Sequence, residues 1–162
     1  MKKTIGKYVQ DIQIMPLISW DIYSQFTLTN KESLSQDLKQ LSLYASKFNW
    51  EHNFKSILQN NTYDALVLTN NLKEIIWVNK GFTKMTGYTK KQVINKKPSF
   101  LQGKDTSESK KIVIRKKLNG KIPFKEVILN YKKDGTPYKC EIYIIPIKKE
   151  KVTHYLALER AV

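Results

Sequence analysis

"PFKEVILNYKKDGTPYKCEIYIIPI", Pro123 to Ile147, decides the fold. Two runs rich in Val, Ile, Tyr and Phe flank Asp134-Gly135, a dipeptide that tolerates the positive φ of a tight turn. The stretch therefore reads as a hairpin of two strands. Outward from it, "THYLALERAV" (Thr153–Val162) is a further strand. Upstream, "SESKKIVIRKKLN" (Ser107–Asn119) is a basic helix capped by Thr106 or Ser107 and stopped at Gly120. "KGFTKMTGYTKKQVIN" (Lys80–Asn95) suits two short helices divided at Gly87. "ALVLT" and "EIIWVN" are strands joined by a turn at Asn70-Asn71. Strand pairs separated by a block of helices make an α+β domain: a five-stranded antiparallel sheet with short helices on one face. The spacing does not yield the strand order.

Before Asp64 the period changes from two to that of a helix. Pro16 suits the first turn of a helix carrying Leu17, Trp20 and Tyr23. Asn30 is a candidate N-cap for a second helix, with Leu34, Leu38, Leu41 and Ala45 as its apolar stripe. Trp50, Phe54 and Ile57 or Leu58 continue that pattern. The expected division is a helical cap over residues 1–60 and a domain over 61–162.

The chain of 162 residues is 41% apolar and 11% aromatic, enough for a core. Its single cysteine, Cys140, excludes an internal disulfide framework and cysteine-based zinc. No apolar run approaches a membrane span and the start is no signal peptide, so a soluble, cytoplasmic protein is expected. The net charge is +15. It is concentrated after residue 60, where 22 Lys and Arg face 9 Asp and Glu, against 7 and 5 before. A basic nucleic-acid-associated protein is one reading of that charge. The lysines are spread over many segments and no DNA-reading motif is present, so nucleic acid is not the expected partner.

From about Tyr63 to Val162 the chain resembles a PAS domain of the light-oxygen-voltage (LOV) subgroup. The resemblance rests on "IIWVNKGFTKMTGYTKKQVINKKPSFLQG", "IPFKEVILNYKKDGTPYKCEIYIIPI" and "VTHYLALE". The opening "PLISWD" is similar to the leading helix of small stand-alone bacterial PAS proteins. The resemblance implies a PAS fold with a cavity between helices and sheet, which in photoreceptors of the subgroup holds flavin mononucleotide (FMN). It places Gln102 against the flavin side chain, Arg115 at the phosphate and Asn130 at the ring edge. Val67 and Thr69 fall where the first strand lines the pocket.

Elsewhere the sequence departs from that pattern. Pro98 stands where the reactive cysteine belongs, and proline has no nucleophile. Ser99 replaces a phosphate-binding arginine and Lys97 an asparagine. Cys140 replaces the second ring-binding asparagine. Glu159 replaces the glutamine that senses the flavin's reduction state, and an ionised carboxylate cannot donate a hydrogen bond. No cofactor is therefore favoured, with FMN as the alternative. The cavity is expected to be filled by the protein's own side chains, with Glu159 turned to a lysine or to water. Haem is excluded by the lack of a histidine on the long helix; His52 and His154 lie elsewhere. No catalytic constellation can be named, so the protein is read as no enzyme.

With Asn130, Cys140 and Glu159 facing the cavity, alternation sends Val127, Leu129, Tyr131, Tyr143, Ile145, Leu156 and Leu158 to the opposite face. Such an apolar face needs a cover. The leading helices are expected to pack on it, and a homodimer or another signalling protein to dock there. The sequence stops with the last strand, so output is expected to pass to a separate protein. The leading reading is a non-enzymatic sensory module acting by protein–protein contact. The alternative is a flavin or other small-ligand sensor without cysteinyl-adduct chemistry.

Overall fold

The structure, a computed structural model, describes residues 17–148 and 150–162. Helices α1 (Leu17–Phe48) and α2 (Phe54–Gln59) precede strands β1 (Ala65–Asn70) and β2 (Ile75–Val78). Short helices α3 (Lys80–Thr86) and α4 (Lys90–Val93), a 3-10 turn (Pro98–Leu101) and α5 (Glu108–Gly120) follow. Strands β3 (Phe124–Tyr131), β4 (Pro137–Lys148) and β5 (Val152–Ala161) end the chain. The sheet order is β2-β1-β5-β4-β3, with every neighbouring pair antiparallel. The last strand thus occupies the centre.

The Asp134-Gly135 turn closes β3 on β4, with Gly135 at φ 86° and Lys132 N–H donating to Thr136 O at 2.9 Å. Ser107, one of the two cap candidates, caps α5 by accepting from Lys110 N–H. Gly81, the second residue of α3, lies so close to the chain just before β1 that a Cβ there would overlap Asp64 O.

The leading segment differs from its reading. Asn30 caps nothing; it lies exposed inside one continuous α1. An exposed asparagine in a helix costs well under about 1 kcal/mol, which the packed stripe beyond it outweighs. The helix ends instead at Asn49, φ 55°, and Trp50 N–H returns to Ala45 O at 2.9 Å, a Schellman closure. Asn53 then caps α2 by accepting from Ser56 N–H at 3.0 Å. Pro16 lies outside the described residues, as do the side chains of Leu17, Trp20 and Tyr23.

The sheet separates two apolar layers. On one side Leu41, Trp50, Phe54 and Leu58 of the leading segment cover Leu66, Leu68, Trp77, Ile145, Ile147, Leu156 and Leu158. On the other, α3, α4 and α5 bring Phe82, Met85, Val93 and Ile114 over Val67, Ile128 and Ile142. The expected outer face is covered only in part. Tyr143, Ile145, Leu156 and Leu158 lie beneath the leading helices. Val127 on edge strand β3 is 39% exposed and Leu129 half-buried, both outside that cluster. Tyr131 serves another purpose, described below. Ile112 and Val113 of α5 are exposed, while its apolar contact with the sheet layer comes from Ile114 and Leu118.

One polar tie crosses the outer layer. Asp37 sits in the α1 stripe between Leu34 and Leu41 and is buried. Its carboxylate accepts from Asn79 Nδ2 at 2.9 Å and from the Tyr63 hydroxyl at 3.4 Å. Asn79 Oδ1 in turn accepts from Phe82 N–H and Leu66 N–H, capping α3 and closing a β1 backbone donor. Burial raises the Asp37 carboxyl above its ordinary range, against the lowering effect of these hydrogen bonds.

Candidate functional site

Between α5, the loop before it and the sheet lies a cavity of about 500 Å³. Its floor comes from alternation. Val67 and Thr69 of β1, Tyr155, Ala157 and Glu159 of β5, Ile142 and Ile144 of β4, and Ile128 and Asn130 of β3 all point one way. The roof is Ile114, Arg115 and Leu118 of α5. The rim is Lys73, Lys97, Pro98, Ser99, Gln102 and Lys111.

Six of the seven pocket candidates named from the sequence therefore line one space: Val67, Thr69, Gln102, Arg115, Asn130 and Glu159. Cys140 does not. It is fully buried in the core cluster, with Sγ 3.7 Å from Glu141 O. Burial first, and the Glu159 charge second, push its thiol above the ordinary range. A thiol so held is neutral packing.

The expectation of a self-filled cavity is corrected. The floor is built mainly from β-branched and small side chains, and the α5 side chains above it, Ile114, Arg115 and Leu118, do not reach down to close the space. Glu159 is also corrected. It turns to no lysine: its Oε2 is buried with no hydrogen-bond partner, and the residue is 4% exposed. Its neighbours across the strands, Ala65 and Ile142, are apolar. Desolvation pushes its carboxyl up to about 7.

The rim loop is held firmly. Gly103 packs so closely on the Tyr131 ring that a Cβ would collide with it. The Tyr131 hydroxyl donates to Asp105 Oδ2 at 2.7 Å and accepts from Asp105 N–H at 3.1 Å. Thr106 Oγ1 donates to Leu129 O at 2.8 Å and accepts from Gly103 N–H at 2.9 Å. Tyr131 thus clasps the cavity rim instead of joining the covered face. Helix α5 is fastened to β3 by Lys110 and Lys117, both within 2.7 Å of Glu126. Their hydrogen bonds hold the Glu126 carboxyl down at about 2. Lys111 pairs with Glu108 at 2.6 Å. Among the described residues no carboxylate pairs with Lys73, Lys97 or Arg115.

Sequence reasoning missed Asp37 and the Tyr131 clasp. The first had a signal, a carboxylate at an apolar-stripe position; the second had none beyond the two residue types. Among the described residues no group of three or more His, Cys, Asp and Glu could hold a metal, and no helix is long and apolar enough to cross a membrane.

The comparisons agree with this geometry. A family model described as a PAS domain matches residues 64–160. A blue-light photoreceptor of Listeria innocua is 42% identical over 73 residues, 45% of this chain and 29% of that protein. The voltage-gated delayed rectifier potassium channel KCNH8 of Mus musculus is 39% identical over 79 residues, 48% of this chain but 7% of the channel. The chain thus spans only a small part of such relatives. Among solved structures, the PAS domain of the fruit-fly ELK potassium channel superposes with a TM-score of 0.58 at 34% identity, covering 69% of this chain and 98% of that one. The light-state structure of the Aureochrome1 LOV domain gives 0.61 at 23% identity, covering 66% and 87%. The latter likeness is one of fold.

The residues fit a flavin only in part. Gln102, Arg115 and Asn130 stand on the wall. Pro98 occupies the cavity edge with no nucleophile to offer, and the orphaned Oε2 of Glu159 calls for a donor. Adduct photochemistry has no residue here to carry it.

Proposed function

The chain belongs to the PAS domain family, and from that premise we propose that it is a sensory module whose signal is a small molecule held in the cavity. One observation carries the reading: about 500 Å³ of apolar-walled space, within the usual range of ligand pockets, with a buried polar group left unpaired inside it. Such a vacancy weakens the fold unless occupancy compensates it.

Strand β5 is the route outward. Tyr155, Ala157 and Glu159 face the cavity, while His154, Leu156 and Leu158 face the leading helices. A ligand that moves the central strand moves the floor beneath α1. The output is then contact of α1 and the exposed β3 edge with another signalling protein or a second copy of the chain, without catalysis. Native mass spectrometry of the purified protein tests the reading. A bound small molecule is expected, and its removal should speed amide exchange in both β5 and α1. Exchange that changes on neither element, or a protein that leaves no mass adduct with any metabolite extract, defeats it.

FMN is the second reading, favoured by Gln102, Arg115 and Asn130 on the wall. It requires a yellow preparation with the blue-light absorption of a flavin and no light-induced adduct. A colourless protein that ignores added FMN removes it.

A further inference from the structure

The cavity's charged groups have a definite polarity, and it differs from what a flavin needs. Deep on the sheet is an acceptor, Glu159, whose Oε2 has no partner and whose cross-strand neighbours are Ala65 and Ile142. On the helix and rim are donors and cations: Arg115, Lys97 and Lys73, none paired with a carboxylate among the described residues, together with Gln102 and Ser99. Between them the walls are Val67, Leu101, Ile114, Leu118, Ile128 and Ile142.

We propose that the site takes an amphoteric organic molecule, with N–H donors at one end for Glu159, a flat or apolar body, and an anionic group at the other end for Arg115 and Lys97. The inference rests on the reading of the cavity as a ligand site and deepens it. A carboxylate is an acceptor-only group, so the complementary ligand edge must donate; an amidine or an aminoheterocycle does so with two parallel N–H bonds. Against the ionised carboxylate, a ring carbonyl at the same place presents acceptor to acceptor. At the opposite end a carboxylate or phosphate meets unpaired cations at the solvent edge.

Four probes separate the terms: 4-amidinobenzoate, benzoate, benzamidine and FMN, each titrated into the whole chain with methyl resonances of Ile142 and Ile144 as the reporters of the cavity. We expect 4-amidinobenzoate to bind at least about tenfold more tightly than benzoate, the size of one charge-assisted pairing. Glu159→Gln should bring the two within about twofold, since the remaining amide keeps an acceptor but loses the charge. Arg115→Ala should weaken both benzoates alike and leave benzamidine unchanged. Equal binding of the two benzoates, or a tenfold preference that survives Glu159→Gln, overturns the inference while leaving the cavity a ligand site. FMN binding that tightens in Glu159→Gln overturns it in favour of flavin. If no probe moves the cavity methyls, the inference and the ligand reading fall together.

Discussion

The two faces of the sheet share the same strands and end in opposite states. The outer face is closed: α1 and α2 press Leu41, Trp50, Phe54 and Leu58 onto β1, β2, β4 and β5, and Asp37 to Asn79 is a fully paired polar tie. The inner face is roofed by α5 and its loop yet holds an open cavity with Glu159 unpaired. Both layers are apolar, so hydrophobicity alone does not separate them. What separates them is space: the outer layer packs shut, while the inner one keeps a cavity with an unpaired carboxyl oxygen on its wall. The closed face is where the fold draws stability, and the open one is where the fold has left room for something else.

Removing residues 1–60 is the harshest way to break this contrast. It bares Leu66, Leu68, Ile145, Ile147, Leu156 and Leu158 at once, and the truncated chain should aggregate, as read by light scattering. A monodisperse, soluble truncation would show that the leading helices are not an essential roof.

Single cavities come next. Leu41→Ala removes a fully buried side chain from the closed face and should cost about 2–5 kcal/mol in denaturant unfolding. Ile144→Ala, beside an existing void, should fall at or below the low end of that range, since little new cavity forms. Equal costs would erase the distinction between the faces.

Glu159 sharpens the contrast by pH. Its folded carboxyl lies at about 7 against 4.5 for the ordinary group, with burial as the cause. The unfolded chain therefore gives up this proton first. Stability is full below about pH 4.5 and declines as pH rises through 7, where the folded state must ionise a buried, unpaired acid. Glu159→Gln should leave stability unchanged at pH 4 and raise it at pH 9, on the order of 3 kcal/mol. A constant difference across that window, measured by urea unfolding, contradicts the burial of an unpaired carboxylate. His154 works in the opposite direction. Its ring lies tilted against Phe48 and edge-on to Trp50, with centroids 4.4 and 4.7 Å away, and burial lowers its pKa. Its contribution is present above 6.5 and is lost as pH falls.

The mildest test is the polar tie. Asp37→Ala strands the Asn79 Nδ2 donor and the Tyr63 hydroxyl, and should cost about 1–3 kcal/mol. A neutral result would mean that water replaces the carboxylate without penalty.

Much of this was legible because the signals were local. The Asp134-Gly135 turn, the Ser107 cap and the alternation along β4 and β5 each need only neighbouring residues. Alternation put Tyr143, Ile145, Leu156 and Leu158 on the face opposite Glu159, and the leading helices cover them. It overreached at Val127, Leu129 and Tyr131, because a period of two assigns a face but not what lies above it. Edge strand β3 extends beyond the α1 roof, and Tyr131 finds Gly103 and Asp105 instead. Asn30 misled for a related reason: a cap signal is local, while helix continuity was decided by the packing farther along α1.

By itself the sequence determined the elements, the two-sided strands and the loss of a nucleophile at Pro98. Tertiary structure alone decided that the last strand lies in the middle of the sheet, which brings Glu159 opposite Arg115 and Asn130 around one void. Periodicity is a property of adjacent residues. A vacancy depends on how walls far apart in the chain meet, and nothing in the order of residues along any one wall measures the space left between them.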